Sequence, residues 1–125
     1  MRPQFTAVVL TAATIFLLGG CALLVPAQQQ LSQVDTAADA QARSDVANAK
    51  VAFLTYEITN SAAPTSAADL GEFGYQQSDG VSEVRIYPAS TSSALCLDVQ
   101  SSSGAYFKAT ASGTVADGEC ATSDL

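Results

Sequence analysis

From Phe5 to Val25 the chain carries no charged side chain. At about 1.5 Å per residue, such a run is roughly 30 Å long as a helix, the thickness of a bilayer's hydrocarbon core. Arg2 is the only basic residue before it, and none follows until Arg43. Positive charge is retained on the cytoplasmic side, which predicts an N-terminus inside the cell and everything after Pro26 outside. Residues 1–4 therefore read as a short cytoplasmic stub, 5–26 as a hydrophobic membrane segment, and 27–125 as an exported module.

The same residues admit two other readings. Phe5 to Leu18 has the length of a signal-peptide apolar core, and Leu18-Gly19-Gly20-Cys21 resembles a bacterial lipobox. In that case a lipoprotein signal peptidase cuts before Cys21, which becomes the lipid anchor. Simple cleavage and secretion is the third reading. All three export the remainder of the chain.

The exported module has four Lys and Arg against twelve Asp and Glu, a net charge of −8. A nucleic-acid partner needs a cationic footprint to displace counterions from phosphates, so none is expected. The chain has no His, which excludes Ser-His-Asp and Cys-His nucleophiles and His-based metal centres. Carboxylate pairs at Asp69 and Glu72, or Asp117 and Glu119, are the best remaining acid-base candidates, but no Trp accompanies them to form a sugar-binding surface. Asp117, Glu119 and Asp124 lack the alternating oxygen-ligand pattern of a calcium loop. No enzymatic activity, cofactor or metal is expected.

After Pro26, Leu31, Val34, Ala38, Ala42, Val46, Ala49, Phe53 and Tyr56 recur at steps of three and four, with no Gly or Pro between them. This predicts an amphipathic helix over about 28–58, its stripe enlarging towards Val46–Tyr56, where a core should sit. If the apolar segment runs into it, the helix is about 80 Å long and kinked at Pro26. A connection over 59–80 follows, in which Thr65 or Ser66 is placed to cap a short helix ending at Leu70. The period then changes to two. Val81–Tyr87, Ala94–Gln100, Ala105–Thr110 and Thr114–Ala116 read as strands of a sheet spanning 81–120, with Leu95, Leu97 and Val99 inward and Cys96 and Asp98 outward. One long helix followed by antiparallel strands makes an α+β module with the sheet packed on the helix.

Cys96 and Cys120 are the only cysteines of the exported module. Outside the reducing cytoplasm such a pair is expected to be bonded, tying the C-terminal tail to a central strand and contributing about 3 kcal/mol in the loop-entropy estimate.

Taken in order, these parts resemble a type IV pilin or type II secretion pseudopilin over nearly the whole chain. Members of that class begin their mature chain with Phe-Thr, as at Phe5-Thr6, run through an apolar stretch, and place a Pro where Pro26 stands. Ala42-Arg43-Ser44-Asp45-Val46-Ala47-Asn48-Ala49, then Tyr56, Asn60 and Pro64-Thr65-Ser66-Ala67-Ala68-Asp69-Leu70, are similar to the helix and connection of that class. Leu95-Cys96-Leu97-Asp98-Val99 and Gly118-Glu119-Cys120 resemble its disulfide-closed head. The resemblance implies cleavage by a prepilin peptidase between Gln4 and Phe5, an N-terminal helix that packs against other pilin-like subunits, and a head displayed outside the cell membrane. Ala12, Ala13, Gly19 and Gly20 offer small surfaces for such packing. Prepilins carry Gly where Gln4 stands and Glu where Val9 stands. These departures favour a minor subunit over a major filament-forming one.

Overall fold

The computed structural model describes residues 27–87 and 90–125. Val34–Leu125 forms one compact unit; of the unit before it, Met1–Gln33, the described residues are helical. Helix α1 spans Ala27–Asn60, two or fewer residues beyond the expected range at either end. Uninterrupted by Gly or Pro and rich in Ala, the segment incurs little intrinsic penalty as a helix. Its end is built from local bonds: Thr59 Oγ1 and Asn60 Nδ2 donate to the carbonyls of Thr55 and Tyr56, and the chain exits through Ser61 in the left-handed region, φ 52°.

Of the expected helical stripe, Ala42, Val46, Ala49 and Phe53 are fully buried, whereas Leu31 and Val34 are exposed. Packing begins only where larger side chains meet the sheet. Ser66 caps helix α2, Ala67–Gly71, and a reciprocal bond from the Ser66 amide to Asp69 completes a capping box. That short turn drives Leu70 into the core, while Phe73 meets the Tyr56 ring edge-on, with 5.2 Å between centroids.

Four strands follow: β1 Arg85–Ile86, β2 Cys96–Gln100, β3 Tyr106–Thr110 and β4 Ala116–Asp117. They form one antiparallel sheet in sequence order. The β2–β3 turn is closed by the Gly104 amide bonding to Ser101, with Gly104 at φ 91°, a conformation that favours a residue without Cβ. The module is therefore α+β, one long helix and a four-stranded antiparallel sheet. The expected strand over 81–87 is shortened to two residues: Val81 forms only an isolated bridge with Ser101, because Ser82 and the Gln100 end of β2 bond through a side chain and a single backbone pair. The fourth strand begins two residues later than expected, at Ala116.

Leu95, Leu97, Val99, Phe107 and Ala109 face the helix and join Val46 and Phe53 in one core. Burying each large apolar side chain stabilises the head by about 1.5–3 kcal/mol. Two polar clamps fix helix to sheet. Lys50 Nζ donates to the carbonyls of Thr110, Ala111 and Gly113 at 2.7, 3.2 and 3.0 Å, gathering the loop beyond β3. Arg43 lies over the Phe107 ring, 4.4 Å from its centroid, and pairs with Asp117 on β4.

Candidate functional site

The sheet face turned away from the helix carries the densest chemistry. Arg85 on β1, Asp98 on β2 and Lys108 on β3 stand in one row of register partners, so their side chains emerge on the same face. On an open sheet such residues would be solvated. Here Asp98 is only 2% exposed and Cys96 is fully buried, although both were expected on the solvent side.

The cover is the C-terminal tail. Gly118, at φ 106°, turns the chain after β4, its amide bonding to the carbonyl of Tyr106. Glu119 then accepts from Arg85 Nη2 at 2.9 Å. Cys120 bonds to Cys96 with the two Cα atoms 5.8 Å apart, and its amide donates to Asp98 Oδ2 at 2.8 Å. The tail ends in a short 3-10 turn, Thr122–Asp124, where Asp124 receives Lys108 Nζ at 2.8 Å on both oxygens.

Asp98 is the hub of this face. Its two oxygens take the Nε and Nη2 donors of Arg85 at 2.6 and 3.0 Å in a two-pronged pair. Hydrogen bonds to Asp98 first, and to Glu119 second, hold the Arg85 guanidinium even more firmly protonated than an ordinary arginine. The same guanidinium lies 5.1 Å from the centroid of the Tyr106 ring. Lys108, followed by the Ala121 amide, holds the Asp124 carboxyl below the usual carboxylate range. A shallow pocket of about 290 Å³ opens here, lined by Arg85, Ile86, Tyr87, Asp98, Glu119 and Cys120.

These bonds determine what the face can do chemically. A carboxylate whose lone pairs already hold three donors has little capacity left to accept a proton from a substrate. The acid-base candidates named from the sequence are dispersed. Asp69 caps α2, Glu72 is exposed, Asp117 pairs with Arg43, and Glu119 pairs with Arg85. Among the described residues, no group of three or more Cys, Asp or Glu is arranged to hold a metal ion. The arrangement suits mechanical closure: the tail is fastened to the sheet by a covalent bond, two ion pairs and a buried amide–carboxylate bond.

Cys96 and Cys120, paired in the sequence reading, are thus brought together. Gln4, Phe5, Cys21 and Pro26 lie outside the described residues. Within the described residues, no helix is long and apolar enough to cross a membrane. Sequence reasoning missed the role of Asp98. The available signal was a charged residue alternating with Leu97 and Val99 two positions after a cysteine, but its partners are separated from it by 13 and 22 positions.

No family model, curated protein or solved structure matches this chain.

Proposed function

We propose that the chain is a membrane-anchored structural subunit of a pilin-like or pseudopilin-like filament, of the type IV pilus or type II secretion kind, in the role of a minor subunit. The observation that carries this reading is the order of its parts. A charge-free segment, Phe5–Val25, leads directly into a long helix whose later turns pack on a small antiparallel sheet closed by a C-terminal disulfide. The apolar segment holds the subunit in the cell membrane and meets other pilin-like subunits there, with a prepilin peptidase as the processing partner. The head stands outside, rigid and acidic, with no catalytic duty.

The lipobox-like Leu18-Gly19-Gly20-Cys21 supports the second reading, a small envelope lipoprotein anchored through Cys21 and carrying the same head as a binding module.

Fractionation of cells expressing the full chain tests the anchor common to both readings. The protein is expected in the membrane pellet after alkaline carbonate, released only by detergent, with the head digested by protease added outside the cytoplasmic membrane. Release by carbonate, or full protection of the head, contradicts it.

A further inference from the structure

An aspartate followed by glycine carries a reaction of its own. The glycine amide nitrogen, uncrowded for want of a Cβ, attacks the aspartate Cγ. A C–N bond forms, a C–O bond breaks and water leaves, which closes a succinimide ring. Water then opens that ring at either carbonyl. One opening restores aspartate; the other leaves isoaspartate, in which the main chain runs through Cβ. Asparagine followed by serine reaches the same ring by losing ammonia. The chain contains Asp79-Gly80, Asp117-Gly118 and Asn60-Ser61.

The fold restrains two of these steps. The Ser61 amide donates to the Glu57 carbonyl at 2.8 Å, and the Asn60 side chain donates to the Tyr56 carbonyl at 3.1 Å. The Gly118 amide donates to the Tyr106 carbonyl at 2.8 Å, and the Asp117 carboxylate is paired with Arg43. In both, the attacking nitrogen and the side chain that it must reach are tied to other partners, and ring closure has to break those bonds first. Asp79-Gly80 carries no such restraint. Both residues are exposed, and among the described residues nothing bonds the Gly80 amide or the Asp79 carboxylate. The turn is fastened on either side of them instead. The Val81 amide donates to the Ser78 carbonyl at 3.2 Å, while the Ser78 amide and hydroxyl donate to the buried carboxylate of Asp45 at 2.8 and 2.7 Å. We propose that Asp79 is a site of spontaneous isoaspartate formation in the folded chain, and that the change loosens the hold of Asp45 on this turn. An isoaspartyl link adds a methylene to the main chain between Ser78 and Val81, so the Ser78–Val81 turn bond and the Ser78–Asp45 bonds no longer fit together. The inference is independent of the filament reading.

The test is ageing of the full chain in detergent at neutral pH, beside a sample that is reduced and unfolded in urea. Isoaspartate is read with a methyltransferase that places a labelled methyl group on isoaspartyl carboxylates, after reduction and tryptic cleavage. Lys50, Arg85 and Lys108 put Asp79 in the peptide 51–85 and Asp117 in 109–125. In the folded sample the label should be several-fold richer in 51–85. In urea the two peptides should converge, because the protection of Asp117 belongs to the fold. Asn60 shares the peptide of Asp79 and is told apart by the mass gain that only asparagine gives. Asp79→Glu keeps the charge but needs a larger, slower-forming ring, and should remove the label from 51–85. Equal label in the two peptides of the folded chain, no label in 51–85, or label there that survives Asp79→Glu overturns the site. Hydrogen exchange of the Ser78 and Val81 amides should be faster in the isoaspartyl fraction than in the fresh chain; unaltered exchange overturns the link to Asp45.

Discussion

Arg85 and Asp98 face each other across the β1–β2 pair, the guanidinium meeting a carboxylate that also accepts the Cys120 amide. The pair is asymmetric. Asp98 is buried and Arg85 is about half exposed, so removing one partner is not equivalent to removing the other. Arg85→Ala strands a buried carboxylate and is expected to cost about 2 kcal/mol, less than a fully buried pair loses because water reaches the arginine side. Asp98→Asn keeps an acceptor for the Cys120 amide and leaves an arginine that water can solvate, so it should cost about 1 kcal/mol. Urea unfolding of the two variants measures the order; an equal or reversed order contradicts the account of this face.

The disulfide should hold the tail more than it holds the core. Cys120 is half-buried and Cys96 fully buried, so Cys120→Ser is the cleaner variant, leaving the core side chain in place. A loss of about 3 kcal/mol is expected from the released loop, with the first protease cuts falling after Ala116. Equal protease resistance with and without reductant sinks the proposal that the bond supports the head.

Tyr75 is buried at 5% exposure, and its hydroxyl approaches the Val84 backbone without forming a well-aligned hydrogen bond. Burial first, and the Asp45 carboxylate second, push its phenol up from 10.0 to about 12. A raised folded value means the associated stability is complete below pH 10.0 and is lost as the pH climbs through about 12. Of the four tyrosines, one should titrate late in the ultraviolet difference spectrum. Tyr75→Phe should abolish that step and leave stability unchanged or higher, because a poorly satisfied buried hydroxyl is removed. A clear loss of stability in Tyr75→Phe would show that the hydroxyl is bonded after all.

Acid weakens the head through its local carboxylate bonds. Asp69 is held below the ordinary range chiefly by the Thr65 amide, and Asp124 chiefly by Lys108. Both folded values lie below the reference of 3.8, so their contribution is present above it and lost as the pH falls through the folded values. Urea midpoints measured from about pH 5 to pH 2 should fall, and Asp69→Asn with Asp124→Asn should flatten that slope. An unchanged slope contradicts the assignment.

Much of the head is legible in the sequence because its signals are local. The three- and four-residue spacing of Ala42, Val46, Ala49 and Phe53 marks the packed side of α1, Ser66 with Asp69 marks the start of α2, and Leu95, Leu97 and Val99 mark the inner side of β2. What escapes is non-local. Cys96 signals that the tail meets β2, but nothing near Asp98 indicates that the Cys120 amide and Arg85 will converge on its carboxylate, so a half-exposed alternation becomes a strand buried on both faces. Likewise nothing near Lys50 indicates that the carbonyls of Thr110, Ala111 and Gly113, sixty residues on, will converge on it. Leu31 and Val34 fit the helical stripe by spacing yet remain exposed, because period describes a face of the helix and does not say what covers it.

The central claim is that the chain is a membrane-held, pilin-like subunit, and its most direct test is the intact mass and N-terminal peptide map of the protein extracted from its native membrane. The account predicts a chain that begins at Phe5, with a methylated amine, after cleavage beyond Gln4. A chain beginning at a diacylglycerol-modified Cys21 contradicts it and makes the head a lipid-anchored binding module.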